Sequence, residues 1–98
     1  MAAEKLYENK IKKFLEEQGA WGVKFFANAF TKSGIPDLLY CVNGKFVAIE
    51  VKAENGRLSE LQKYNLKKIQ EAGGIAIVSK PSQFEELKEL LMKIKTQV

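Results

Sequence analysis

The stretch that most constrains this chain is residues 38–51, where the apolar runs Leu38–Val42 and Phe46–Val51 flank the pair Asn43-Gly44. An Asn-Gly pair between two apolar runs predicts a two-residue type I′ hairpin, because both central residues must take positive φ. Counting outward from the turn, Val42 pairs with Lys45, Cys41 with Phe46 and Leu39 with Ala48, and Asp37 falls opposite Glu50. The first pair of such a hairpin is hydrogen-bonded. The 37–50 pair therefore belongs to the closer, non-hydrogen-bonded class, with Cα atoms ~4.5 Å apart. Lys52 lies two residues beyond Glu50 and points to the same face.

Like charges directly opposite each other destabilise a sheet, and a fold does not need two acids and a lysine at one end of an apolar hairpin. A divalent cation does: Mg²⁺ takes one or two protein carboxylates and keeps several waters, leaving room for a phosphate. The hairpin is otherwise apolar on both faces. Leu39, Cys41, Phe46 and Ala48 lie on one, and Leu38, Tyr40, Val42, Val47, Ile49 and Val51 on the other. A sheet buried on both sides needs helices on both, and Cys41 reads as a small inward residue.

Helical spacing of Tyr7, Ile11, Phe14, Leu15 and Gln18 predicts an amphipathic helix over residues 4–18, stopped by Gly19. Glu4 and Glu8 lie on the line of its apolar stripe. Trp21 to Phe30 reads as a first strand, with Val23, Phe25 and Ala27 alternating against Lys24, Phe26 and Asn28. Thr31-Lys32-Ser33-Gly34 is a polar loop leading into the hairpin, and Pro36 suits a strand start. After a turn at Glu54-Asn55-Gly56, Ser59-Glu60-Leu61-Gln62 fits a capping box for a second helix. Leu61, Tyr64, Leu66, Ile69 and Ala72 form its apolar side, and Lys63, Lys67 and Lys68 its basic one. Gly73-Gly74 ends it. Ile75–Val78 is a short buried strand, paired in parallel through a right-handed crossover. Pro81 and Ser82 open a last helix, with Ser82-Gln83-Phe84-Glu85 as a second capping box and Phe84, Leu87, Leu90, Leu91 and Ile94 as its stripe.

At 98 residues the chain is expected to be one domain, residues 1–98. It has no histidine and one cysteine. That excludes Ser-His-Asp and Cys-His catalysis, histidine-containing zinc sites and internal disulfides, and leaves hard oxygen ligands for Mg²⁺ or Mn²⁺. No apolar stretch approaches the ~20 residues of a membrane span, and no signal-peptide core opens the chain. A soluble, cytoplasmic setting is expected. The net charge of +4 supports nucleic-acid binding only modestly.

Gly34-Ile35-Pro36-Asp37, followed after a strand by Ile49-Glu50-Val51-Lys52, resembles the PD-(D/E)XK nuclease signature. The continuation Gly56-Arg57-Leu58-Ser59-Glu60-Leu61-Gln62 resembles its VRR-NUC branch, in which a glutamine follows on the next helix. The resemblance implies an α/β fold with a restriction-endonuclease-like αβββαβ core. A mixed sheet would be flanked by helices, with a C-terminal helix added. It implies that Asp37, Glu50 and the Val51 carbonyl hold Mg²⁺ or Mn²⁺. Lys52 would position or deprotonate the attacking water, or stabilise charge on the phosphate. It implies one catalytic acid from the first helix, placed at Glu4 with Glu8 as the alternative. Gln62 is a catalytic candidate that the capping box alone also explains. Lys32, Ser33, Arg57 and Lys63 are the candidates for phosphate contact, a solvated surface being the other reading. One or two metal ions both fit this set.

Small stand-alone members of this branch resemble junction-resolving homodimers. The expected function is therefore endonuclease cleavage of branched DNA, such as a four-way (Holliday) junction. A two-fold dimer suits a branched substrate of similar symmetry. With no separate DNA-reading module, recognition would rest on phosphate contacts and shape. No membrane and no nucleotide cofactor are expected. The alternatives are a less selective flap or end nuclease and a non-catalytic nucleic-acid-binding module.

Overall fold

A computed structural model describes residues 2–97. The order is α1 (Ala2–Glu17), β1 (Trp21–Lys24), β2 (Leu38–Val42), β3 (Lys45–Val51), α2 (Glu60–Glu71) and β4 (Ile75–Ser79). A 3₁₀ turn (Pro81–Gln83) and α3 (Phe84–Thr96) follow. This is the α/β order expected from the sequence, with a mixed sheet of order β1-β2-β3-β4. The first two pairings are antiparallel and β3–β4 is parallel. No described helix is long and apolar enough to cross a membrane.

The hairpin turn forms as its residue types require, with Asn43 at φ 50° and Gly44 at φ 79°. Its ladder runs from Val42↔Lys45 to Leu38↔Ile49, the register reached by counting. Pairing stops there. Asp37 sits in a bend just before β2 rather than in a sixth ladder pair.

One sheet face carries the core. Leu38, Tyr40, Val42, Val47, Ile49 and Val51 pack with Tyr7, Ile11 and Leu15 of α1 and with Leu87, Leu91 and Ile94 of α3. Burying each such aliphatic side chain contributes roughly 1.5–3 kcal/mol relative to leaving it exposed. α1 ends where Gly19 takes φ 83°, letting the Ala20 amide reach the Leu15 carbonyl at 3.0 Å. Across the core, the Tyr7 hydroxyl and Ser79 Oγ share a 2.6 Å hydrogen bond.

The other face departs from the two-sided burial expected. α2 connects β3 to β4 and packs chiefly on β4, so its twelve residues do not extend over β1 and β2. Trp21, Val23, Cys41 and Phe46 are consequently exposed on the uncovered half, which corrects the inward reading of Cys41. The apolar side of α2 is narrower than its stripe. Leu66 is buried, but Leu61, Tyr64 and Ala72 are exposed, and Asn65 takes a buried position.

Two further boundaries differ. β1 ends at Lys24 instead of Phe30, because the bend at Asp37 leaves the later residues without a continuing partner strand; the Phe25 amide still reaches the hairpin, bonding to the Asp37 carbonyl at 2.8 Å. The second capping box also does not form. α3 begins after the 3₁₀ turn with Gln83 at its N-cap. The Ser82 amide and hydroxyl both go to the Glu54 carboxylate, at 2.6 and 2.9 Å.

Candidate active site

The bend at Asp37 turns its carboxylate toward β3. Oδ2 accepts a hydrogen bond from the Val51 amide at 2.8 Å, and Oδ1 accepts one from Lys24 Nζ at 3.2 Å. Glu50, on the α2 side of β3, is almost wholly buried. Its Oε2 accepts from Gln62 Nε2 at 3.3 Å and lies 3.6 Å from Lys52 Nζ. Asp37, Glu50 and Gln62 line one open pocket of about 320 Å³. Burial, and then the charge of Asp37, push the Glu50 carboxyl up to about 8, against the opposing pull of Lys52.

The α1 acid that bonds into this cluster is Glu8. Its Oε1 accepts a hydrogen bond from Lys24 Nζ at 2.8 Å, so one ammonium joins Glu8 to Asp37. Glu8 Oε2 is buried without a hydrogen-bond partner among the described residues, the Lys5 ammonium standing 3.6 Å away. Glu4, the first choice from sequence, lies one helical turn earlier, half-buried and without a side-chain bond to the cluster among the described residues. The choice between the two turns on Lys24, which register places on the α1 face with Leu38 and Ile49. Burial alone would lower the Lys24 ammonium, but its bonds to Glu8 and Asp37 leave it raised above the ordinary lysine value.

Gln62 serves two partners. Its Oε1 accepts from the Ser59 amide at 2.9 Å while its own amide donates to Ser59 Oγ at 3.1 Å, completing the capping box. Its Nε2 meanwhile reaches Glu50. The two roles separate by mutation. Ser59→Ala should cost about 0.5–2 kcal/mol of stability through the cap, with cleavage largely retained. Gln62→Ala should cost a similar amount and also lower cleavage about 10–100-fold. Thermal melts beside single-turnover cleavage measure both. Equal cleavage by the two variants would reduce Gln62 to a cap.

The phosphate-contact candidates stand outside this cluster. Lys32 and Ser33 are exposed on the loop entering Asp37, and Arg57 is exposed between β3 and α2. Lys63 is exposed on the first turn of α2, 3.0 Å from Glu60 Oε2, a surface pair worth little. Two residues that the sequence did not single out hold the site together. Lys24 is one. Asn65 is the other: its Nδ2 donates to the Ser33 carbonyl at 3.0 Å and to the Leu61 carbonyl at 3.1 Å. It does so against Gly34, which takes φ 76° and where a Cβ would come within 2.8 Å of Leu61 Cγ. A signal existed, since Asn65 interrupts the i, i+4 line of Leu61 and Ile69.

Among the described residues no three Asp, Glu, Cys or His side chains converge closely enough to form a metal cluster by themselves. The acids are a pair at the hairpin end plus Glu8 behind Lys24. The VRR-NUC domain family matches residues 4–82, which span every element up to the 3₁₀ turn. The chain belongs to the VRR-NUC family. No curated protein and no solved structure matches it significantly. As a VRR-NUC domain it is of the PD-(D/E)XK nuclease type, which implies DNA as substrate and a divalent metal as cofactor. Both halves of the PD-(D/E)XK signature, residues 34–37 and 49–52, and the VRR-NUC continuation, residues 56–62, fall inside the match.

Proposed function

We propose that this chain is a metal-dependent, structure-selective endonuclease that hydrolyses phosphodiester bonds in branched DNA as a homodimer. The observation that carries this reading is the meeting of Asp37 and Glu50 in one open pocket, with Lys52 Nζ 3.6 Å from Glu50. The donor set fits a divalent cation. Three carboxylates, Glu8, Asp37 and Glu50, face the two enclosed ammonium groups of Lys24 and Lys52, and one Glu8 oxygen is left over. Asp37, Glu50 and the Val51 carbonyl would hold Mg²⁺ or Mn²⁺ through hard oxygen atoms. A bound ion of this kind polarises a phosphoryl oxygen and acidifies a water.

The chain's own residues do the rest. Lys52 places a positive charge, and a proton donor, beside Glu50 where phosphate charge develops. Gln62 fixes one Glu50 oxygen from a helix end that its own cap makes rigid. Glu8, held through Lys24, is the acid drawn from α1. Lys32, Ser33, Arg57 and Lys63 would follow the backbone of the DNA.

The case for a dimer and a branched substrate is argued from surface and size. Trp21, Cys41 and Phe46 are neighbours across β1, β2 and β3, and all three are exposed. Such an apolar strip favours covering by a second copy. Two sites related by a two-fold axis would then meet two strands of one junction.

The test is cleavage of a labelled four-way junction beside a linear duplex of matching sequence, in Mg²⁺, Mn²⁺ and EDTA. Symmetric metal-dependent cuts confined to the junction are expected. Cuts that ignore branching would keep the nuclease and remove the branched substrate. Binding without cleavage in either metal would leave a non-catalytic module.

A further inference from the structure

Two aromatic side chains on the loop that follows β1 have no apolar cover among the described residues. Phe26 is 71% exposed and Phe30 97%, both on the loop between β1 and β2. Phe30 is carried by a built turn: its amide donates to Asn28 Oδ1 at 2.8 Å, and the Asn28 amide donates to Thr31 Oγ1 at 2.8 Å. Farther along the same loop, the Ser33 carbonyl is pinned by Asn65. Phe26 lines the pocket that holds Asp37 and Glu50, and its ring centroid is 5.9 Å from Lys24 Nζ. The backbone of this loop is thus ordered by hydrogen bonds while its two rings face solvent.

The two bare rings on this hydrogen-bonded loop offer flat apolar surface to a partner. The charges nearby choose the partner. Lys32 is exposed on the same loop as the rings, which suits a polyanion that also offers flat apolar faces. Nucleobases do, and base–aromatic stacking tolerates any sequence because every base has a π-face. Within a continuous duplex both faces of a base are already covered by its neighbours. A base has a free face where pairing is interrupted.

We infer that Phe26 and Phe30 stack on unpaired or splayed bases next to the phosphate that a cation at Asp37 and Glu50 would engage, so that the preferred DNA carries unstacked nucleotides at the cut. This rests on the nuclease reading above and narrows its substrate to forks, gaps and open branch points.

Binding of a forked duplex and of a continuous duplex of equal length, followed by fluorescence anisotropy in Ca²⁺, tests it. Phe30→Ala should weaken fork binding about five- to hundredfold and leave duplex binding within about twofold. Phe26→Ala should act in the same direction. Phe30→Trp should keep fork affinity, and its added indole emission should be quenched by the fork beyond any change at Trp21 in the wild type. Circular dichroism confirms folding, which a substitution at so exposed a ring leaves intact. Equal losses on both DNAs, or no loss on the fork, overturn the inference. If the wild type binds and cuts forks while Phe30→Ala does the same, only this inference falls. If the wild type binds neither DNA, the nuclease reading falls and takes the inference with it.

Discussion

Asp37→Ala is expected to lower metal-dependent cleavage about a thousandfold or more, the scale of losing several kcal/mol of charge stabilisation at the reacting phosphate. Alanine also frees the Val51 amide and one arm of Lys24, so a partner variant is needed. Asp37→Asn keeps an oxygen for the Val51 amide, removes the charge and gives up the Lys24 bond. Its cleavage should fall as far as that of the alanine variant. Removing the Asp37 charge relieves Glu50, whose carboxyl that charge helps to raise, but the alanine variant should still lose about 1–3 kcal/mol through the unpaired Val51 amide. Single-turnover rates with thermal melts at the same pH measure both effects. Substantial cleavage by Asp37→Asn would remove this residue from the metal site.

Glu50→Gln carries the second large effect, and its sign is opposite on stability and activity. The folded Glu50 carboxyl titrates at about 8, above its ordinary 4.5. The unfolded chain therefore ionises first. Between these two values the unfolded state binds fewer protons, and the stability of the metal-free wild type falls as pH rises through that window. Below it the neutral group costs nothing. Glutamine keeps the shape and an acceptor for Gln62 without the charge. Glu50→Gln should therefore match the wild type near pH 4.5 and exceed it at pH 8 by about 1–2 kcal/mol, or about 5–10 °C in Tm. Cleavage should be lost at every pH. Melting curves across this range in EDTA measure the difference, and a gap that shrinks with rising pH would refute the assignment. Divalent ions should narrow the gap by stabilising only the wild type.

Much of this was legible because it rests on local rules. Asn43-Gly44 fixed the register, since only residues tolerant of positive φ make that turn, and register brought Asp37 and Glu50 to one end. Ser59 and Gln62 announced their helix by a reciprocal cap. What escaped was decided by tertiary fit. Glu4 and Glu8 share one stripe, and helical periodicity cannot distinguish successive turns of it; that Glu8 meets a lysine from a strand sixteen residues onward is a tertiary contact. Cys41 alternates correctly in its strand, but whether its face is covered depends on the length and tilt of α2. Ser82 looked like a cap until Glu54, far away in sequence, offered a charged acceptor.

The bridge from Glu8 through Lys24 to Asp37 joins a helix, an edge strand and the mouth of a hairpin that the sequence keeps apart. Edge strands and terminal helices are ordinarily the first parts of a small domain to open, each on its own. Here the two share one enclosed ammonium, so neither can leave without abandoning a carboxylate in a poorly solvated place. The acids of the site thus act as a clasp between α1, β1 and the hairpin mouth, added to the core contacts of Tyr7, Ile11 and Leu15. α1, β1 and the hairpin mouth should exchange their amide hydrogens as a single cooperative unit.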